Sequence, residues 1–500
     1  MNDSQRIDWH QRARELAIDV RPFVGGRRVD AQGGAYFDSV DPHGGGVVAT
    51  LRTAGSSEVD DAVLHARRAF DRGDWSRASP HERGRTLLRL ADLIERQGQE
   101  LALLDSLEMG MPVSAALDDI GVTAGIARAC AERVDKLAEQ VLPSAANTLA
   151  LNLRVPHGVV AAITPWNFPL YVAVAKVVPA LAMGNSVVLK PSELASLSCL
   201  RLGDLAHEAG VPAGVLNVLP GVGRETGRLL ALHPDVDCLS FTGSTATGRS
   251  LMQYAGQSNL KALLLECGGK SPQIVFDDLG DLDAVCDALV QGIVFNCGQV
   301  CVSGTRILVA RHLHAPLLER MGARLDSHHG GAPLDVRTTL GPLASLAQLE
   351  RVERLVDHAR QGGGRVVAGG SRDPTAGPGH YRPTLFADVE PSHSLMQEEI
   401  FGPVAGVVPF DTPDEALAIA NGTRYGLSAT LWTRDFSLGH RLARQVRGGP
   451  VVVNAVASPR PSFVVGASME PTGASGFGVE GGAAGLLAYT RAKSVQFRLA

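Results

Sequence analysis

The segment from Gly158 to Gly269 constrains the fold more than any other part of the chain. It alternates short β-branched runs with longer amphipathic ones: GVVAAITP, LYVAVAKVVPALAM, NSVVLKP and SLSCLRLGDLAHEAG, then VLNVLPG, DCLSFTGS and KALLLECGG. Strand-like runs separated by stretches long enough for a helix give βαβ units, because parallel neighbours need a crossover connection. The pattern therefore predicts a parallel sheet, with short helices near Arg224–Leu232 and Thr247–Ala255. Its Gly, Pro, Asn and Ser residues fall at the carboxyl ends of the strands, where such sheets bind ligands. A second alternating stretch starts at SPQIVFDD. It runs through an expected helix over Leu282–Phe295 and a glycine-bearing loop with Cys301 to the strand RILVA. The simplest architecture is α/β: two doubly wound parallel-sheet halves joined near residue 267. Upstream, apolar residues recur at helical spacing over Glu58–Phe70 and Glu82–Arg96, and residues 1–20 read as a polar, partly helical arm. Gly- and Pro-rich loops (Gly362–Gly364, Asp373–Gly379) interrupt the later half, and no internal repeat is present.

Bulk properties narrow the function classes. Five hundred residues exceed one ordinary core and predict two or three domains. No run approaches about 20 uninterrupted apolar residues, so nothing reads as membrane-spanning. The first residues lack the apolar core of a secretory signal peptide. The net charge of −5, without a basic block, argues against nucleic acid as a partner. Seven cysteines show neither paired nor CxxC spacing, which predicts no metal site and a reducing, cytoplasmic setting. Only Lys136, Lys176, Lys190, Lys261, Lys270 and Lys493 are lysines among 47 basic residues, so a retained lysine is a better candidate for a specific role.

Several motifs carry candidate chemistry. GQVC (298–301) sets a cysteine in a loop where Gly298 permits close backbone approach and peptide N–H groups lower a thiol's pKa. Alone, it fits a packing cysteine equally well, and Cys267 and Cys297 read as packing residues. LECGGK (265–270) ends an apolar strand on Glu266, a carboxylate suited to general-base work or to a structural ion pair. TPWNFP (164–169) fixes the amide of Asn167, either as an oxyanion donor or as a turn former. In KPSE (190–193), Lys190 and Glu193 can face the hydroxyls of an adenosine ribose. FTGSTATG (241–248) is a strand–glycine–helix turn whose Gly243, Gly248 and free helix N–H groups suit a pyrophosphate. GVGRETG (221–227) is one residue too long for a dinucleotide fingerprint and reads as a packing turn, with Gly223 kept among the cofactor-side candidates.

In order, TPWNFP, KPSE, FTGSTATG, LECGGK, GQVC and EEIFGPV (398–404) resemble the motif series of the aldehyde dehydrogenase superfamily. The similarity runs from PFVGGR (22–27) to YTRAK (489–493), and the separation 301 − 266 = 35 is close to that of the family. The resemblance implies NAD(P)-dependent oxidation of an aldehyde to a carboxylic acid through a cysteine thioester. It implies Cys301 as nucleophile, Asn167 with the Cys301 N–H as oxyanion site, and Glu266 as the base that activates water. Lys190 and Glu193 would hold the adenosine ribose. Trp166, Gly243 and Ser244 would lie along the pyrophosphate, and Glu399 and Phe401 at the nicotinamide. Lys176 and Lys270 would support the catalytic shell. Glu266 favours hydrolysis over transfer to coenzyme A, and Glu193 favours NAD over NADP. The implied fold has a Rossmann-like cofactor domain (1–124 and 146–265) and a catalytic domain (266–475). An oligomerisation element with the C-terminal tail (125–145 and 476–500) would make a homodimer or homotetramer.

The resemblance breaks between residues 455 and 480. SGFGVE (475–480) has Val479 where the family carries arginine. ASMEPTGA (467–474) puts Glu470 and Pro471 at two glycine positions and Gly473 at a lysine position, and RPSFVVG (460–466) is also unusual. This loop is expected beside the substrate tunnel. Asn454 still matches, and Ala455 and Val456 after it suggest an uncharged pocket wall, hence an uncharged aliphatic or aromatic aldehyde. Two other readings are a cysteine-dependent esterase, against which KPSE and EEIFGPV argue, and a cofactor-binding relative with reduced activity.

Overall fold

The computed structural model describes residues 7–455 and 467–499, so Val456 and the run 460–466 lie outside the described residues. The alternating segment forms five parallel strands in the spatial order Leu216–Val218, Ser186–Lys190, Val159–Ile163, Cys238–Thr242 and Ala262–Glu266. Every residue of Val159–Ile163 and Ser186–Lys190 is buried, which is why these strands read as continuous apolar runs. Chain order reverses between Val159–Ile163 and Cys238–Thr242, which opens a ligand crevice at their carboxyl ends. Phe23–Val24 and Arg27–Arg28 extend one edge, and Gly476–Phe477 pairs antiparallel with Leu265–Glu266 at the other.

Flanking helices follow their local signals. Pro80–Arg96 starts with a reciprocal Ser79–Glu82 capping box, and Ser56–Arg72 covers the upstream periodic stretch. Near Arg224–Leu232 the expected helix is shorter. Gly223–Gly227 forms a wide turn, and only Arg228–Leu232 is α-helical. The helix after SPQIVFDD is Leu282–Val294; its C-cap Phe295 is extended.

The second sheet has the order Arg365–Ala368, Thr384–Ala387, Val404–Phe410, Arg306–Ala310, Pro272–Val275, Ala429–Trp432 and Val451–Val453, parallel except at its first strand. Its chain order too changes sense, between the parallel strands Pro272–Val275 and Ala429–Trp432. At the carboxyl end of that pair, one Asp278 carboxylate oxygen accepts from the Thr433 hydroxyl (2.7 Å) and the N–H groups of Arg434 (2.8 Å) and Asp435 (2.7 Å). The short link Cys267–Ser271 joins the sheets, so the carboxyl edge of the first faces the amino edge of the second. A separate antiparallel sheet combines Gln140–Leu142, Thr148–Pro156 and Thr490–Arg498, with Val141 and Phe497 exposed. No helix among the described residues is long and apolar enough to cross a membrane.

Asp278→Ala removes the acceptor for three donors at once. It should lower stability by about 1–3 kcal/mol, read as a fall in the urea or thermal midpoint; an unchanged midpoint would mean that water replaces the carboxylate without loss.

Candidate active site

A cavity of about 570 Å³ opens where the two sheet edges meet. Trp166, Asn167, Gly243, Ser244 and Glu266 reach it from the carboxyl ends of the first sheet, and Cys301, Glu399 and Phe401 from loops preceding strands of the second half. Eight of the sequence-derived candidates thus line one cavity. Lys176, Lys190, Glu193 and Gly223 are not part of its lining.

Cys301 sits in the loop between Leu282–Val294 and the strand Arg306–Ala310. The loop begins with a left-handed turn: Asn296, Cys297 and Gly298 have φ values of 47°, 54° and 68°. Left-handed conformation costs a non-glycine residue about 1–2 kcal/mol, so the surroundings must enforce it. Gly298 is indispensable there, since a Cβ would lie 2.2 Å from the Gly402 carbonyl oxygen. The expected lowering of the Cys301 pKa does not hold. Burial pushes the thiol up to about 12, Glu399 and Glu266 add repulsion, and the N–H groups of Val302 and Cys301 only partly oppose this. Cys297 is packed in the core of the second half, as expected. Cys267 packs in the first half but also lines the cavity.

Asn167 follows the strand Val159–Ile163 just before helix Pro169–Ala182. Its amide donates to the Gln299 carbonyl oxygen at 2.8 Å, which leaves its second N–H for another acceptor. Glu266 is buried with neither carboxylate oxygen hydrogen-bonded. Burial raises its pKa well above the carboxylate range, and Glu480 raises it further against the pull of Lys176. Lys176, two turns along Pro169–Ala182, is fully buried; it pairs with Glu480 and donates to the Ser240 hydroxyl at 3.3 Å. Glu480, Tyr171 and Met469 also line the cavity; Glu480 and Met469 lie in the runs SGFGVE and ASMEPTGA, which carried no role for them, and nothing in the local sequence marks Tyr171. Lys270 is buried and its ammonium has no partner among the described residues; burial and Arg306 bring it down to about 7.

The residues present fit a dinucleotide. Ser244 caps helix Thr245–Gln257 by accepting from the Thr247 N–H at 3.2 Å, leaving the earlier N–H groups of that helix to face the crevice. Gly243 and Gly268 keep the floor low: a Cβ at the first would meet the Phe241 ring at 2.5 Å, at the second the Glu399 carboxylate at 2.1 Å. Lys190 contacts Glu193 at 3.2 Å, and the Gly223 turn lies over this pair. Burial would raise the Glu193 pKa, but Lys190 and the N–H groups of Glu193 and Gly223 hold it below the usual range, so the carboxylate stays charged. Trp166 meets Phe401 edge-on across the two halves, with centroids 5.3 Å apart. Glu399 accepts from the Gly269 N–H at 3.0 Å.

The pocket wall expected after Asn454 falls partly on Val456, which lies outside the described residues. Asn454 hydrogen-bonds to the Thr433 backbone, and neither it nor Ala455 lines the cavity, which Pro450 reaches from the opposite end of that strand. The divergent loop does reach the cavity, through Ala467, Ser468 and Met469. Ser475 anchors the rest of it, donating to the Gly268 carbonyl at 2.7 Å and accepting from the Gly426 N–H at 3.1 Å.

Fold and cavity together define a doubly wound, dinucleotide-using enzyme. The family model described as aldehyde dehydrogenase family matches residues 29–495, and the chain belongs to that family as an NAD(P)-dependent oxidoreductase acting on aldehydes. It is 43% identical over 455 residues to the NADP/NAD-dependent aldehyde dehydrogenase PuuC of Escherichia coli, covering 91% of each chain. It is 43% identical to the aminoacetaldehyde dehydrogenase of Pseudomonas aeruginosa, covering 95% of this chain and 94% of that one. Among solved structures, P. syringae indole-3-acetaldehyde dehydrogenase AldA in complex with NAD+ and IAA matches with a TM-score of 0.96 at 43% identity. That match covers 98% of this chain and 99% of the other.

Because its thiol is held high, Cys301 should be alkylated by iodoacetamide at a rate that climbs about tenfold per pH unit between pH 7 and 9. Peptide mass spectrometry follows it; a plateau before pH 8 would mean a thiolate already formed in the free enzyme.

Proposed function

We propose that Cys301 is the nucleophile in the oxidation of an aldehyde to its acid, with Asn167 as oxyanion donor and Glu266 as the base that releases the product. The observation that carries this reading is the convergence in one cavity of a thiol, a carboxamide with an uncommitted N–H and a buried carboxylate without partners. The Cys301 thiol releases its proton to water as the sulfur attacks the carbonyl carbon, and the negative charge that develops on oxygen falls to the Asn167 amide and the Cys301 N–H. The bound nicotinamide supplies a hydride acceptor and a positive charge. Cys301 is left holding the acyl group as a thioester. Glu266 then takes a proton from water, which adds to the acyl carbon and frees the thiol. Burial suits Glu266 to this task, because its raised pKa makes the carboxylate a stronger base, and the Lys176–Glu480 pair keeps charge of both signs beside it.

The charged Glu193 opposes a 2′-phosphate, so NAD is preferred over NADP. Phe168, Tyr171, Val172, Val300 and Leu486 make much of the cavity wall apolar, which suits an uncharged aliphatic or aromatic aldehyde. Relatives named for indole-3-acetaldehyde and aminoacetaldehyde bracket that range of size. The two sheets support a cofactor half and a catalytic half divided near residue 266, with the three-stranded sheet as the oligomerisation element, taking in Thr148–Pro156. Its exposed Val141 and Phe497 suit a homodimer or homotetramer, and seven free cysteines suit the cytoplasm.

Cys301→Ser should abolish NADH formation while NAD binding, measured by calorimetry, persists; substantial residual turnover would remove Cys301 from the nucleophile's role. Glu266→Gln should give a stoichiometric burst of NADH followed by slow turnover in stopped-flow absorbance. The wild-type steady rate should rise with pH as Glu266 ionises. A normal steady rate without a burst in Glu266→Gln would assign deacylation to another base.

A further inference from the structure

The left-handed turn before Cys301 is tied to the oxyanion residue by a closed set of hydrogen bonds. The Asn296 amide donates to the Asn167 backbone carbonyl at 2.8 Å, while the Asn167 amide donates to the Gln299 carbonyl at 2.8 Å. Gln299 turns back on Asn296, whose carbonyl accepts both the Gln299 backbone N–H (3.0 Å) and its side-chain amide (3.1 Å). The remaining Gln299 oxygen accepts from the Ala344 N–H at 2.8 Å. Asn167, Asn296 and Gln299 are all buried, so no water competes for these contacts. Asn167 belongs to the first sheet and the other two to the second half, so the set also spans the junction on which the cavity is built.

We infer that Asn296 and Gln299 are positioning residues that hold Asn167 in register with Cys301, Asn296 by fixing the Asn167 backbone and Gln299 by fixing its side chain. This rests on the reading of Asn167 as oxyanion donor and Cys301 as nucleophile. Asparagine suits the position on two counts. Its short amide tolerates positive φ better than most side chains, and it donates where aspartate, once ionised, only accepts. Gln299 commits one Asn167 N–H to its own carbonyl, which fixes the plane of the amide and aims the other N–H in a single direction. Aiming matters because an oxyanion donor acts only when it is already in place as charge develops. Misplacement of a catalytic group by about 1 Å costs on the order of a hundredfold in rate.

Three variants test this with stopped-flow NADH bursts, read against iodoacetamide alkylation of Cys301 and NAD binding. Asn296→Gly keeps the left-handed backbone at no steric cost and deletes only the amide. Its burst should slow by about tenfold or more, with alkylation and NAD affinity near wild type, since alkylation needs the thiol but no oxyanion donor. Asn296→Asp should lose the burst at high pH and regain it, relative to wild type, as acid protonates the carboxyl and restores a donor to the Asn167 carbonyl. Asn167→Ala is the control. If it leaves the burst intact, the oxyanion assignment itself fails. If Asn167→Ala is slow while Asn296→Gly bursts normally, the positioning role is overturned and the assignment stands. Parallel loss of burst, alkylation and NAD binding in Asn296→Gly overturns it as well, because that pattern marks a general structural defect.

Discussion

The short link Cys267–Ser271 sets the carboxyl edge of one parallel sheet against the amino edge of another, and the chemistry depends on that opposition. The first sheet offers what doubly wound sheets offer at a reversal of strand order: a crevice, a helix N-terminus and loops carrying polar side chains. The second sheet contributes from its other edge, through the loops that lead into Arg306–Ala310 and Val404–Phe410. At its own reversal of strand order the Asp278 carboxylate engages the Arg434 and Asp435 N–H groups, donors that an outside anion would otherwise meet. Two sheets with the same winding therefore serve unlike purposes. One is open to a ligand, and the other braces the loops that meet it.

The cavity at this junction leaves its carboxylates poorly satisfied, although Arg351 and Arg424 reach its lining. Glu266 has no hydrogen-bond partner, Glu399 has one backbone N–H, and the Cys301 thiol lies between their fields. Carboxylates in such surroundings are strong bases, and a thiol in them keeps its proton. A positive charge entering the cavity relieves both conditions at once, as opposite charge in a poorly solvated site must. The resting site thus favours a cationic cofactor: of the chain's own cations, Arg351 and Arg424 line the cavity and pull on Glu399, Lys176 is tied to Glu480, and Lys270 is held near neutrality.

What the sequence discloses follows the range of the interactions involved. Both parallel sheets were legible because strands buried on both faces are written as continuous apolar runs, and the helices because capping residues sit beside them. Cys301, Glu266 and Asn167 were legible through ordered motifs, each at the end of an element that delivers it to one place. Lysine scarcity was informative too, since Lys176, Lys190, Lys261 and Lys270 are all buried. The thiol's pKa was misjudged because the favourable N–H groups are local, while the burial and the two carboxylates that outweigh them come from distant segments. The left-handed turn at Asn296 and Cys297 was invisible for the same reason: their types do not require it, and only contacts with Asn167 and Gly402 do. Ala455 is absent from the cavity lining, since a matching motif does not say which end of a sheet a cavity occupies, and Val456 lies outside the described residues.

The pairing of Gly476–Phe477 with Leu265–Glu266 bears on how the chain is made. The strand that ends in Glu266 acquires its outer neighbour from a segment roughly two hundred residues later, and contacts so distant in sequence close slowly. Glu480, the partner of buried Lys176, and the Tyr489 carbonyl that accepts from Asn185 arrive in the same late stretch. Domains usually fold as units from the N-terminus during synthesis, but here the first sheet must wait for the whole of the second to emerge before its edge is complete. A nascent chain can assemble its parallel strands early and still lack the full site until residues 476–489 have been added.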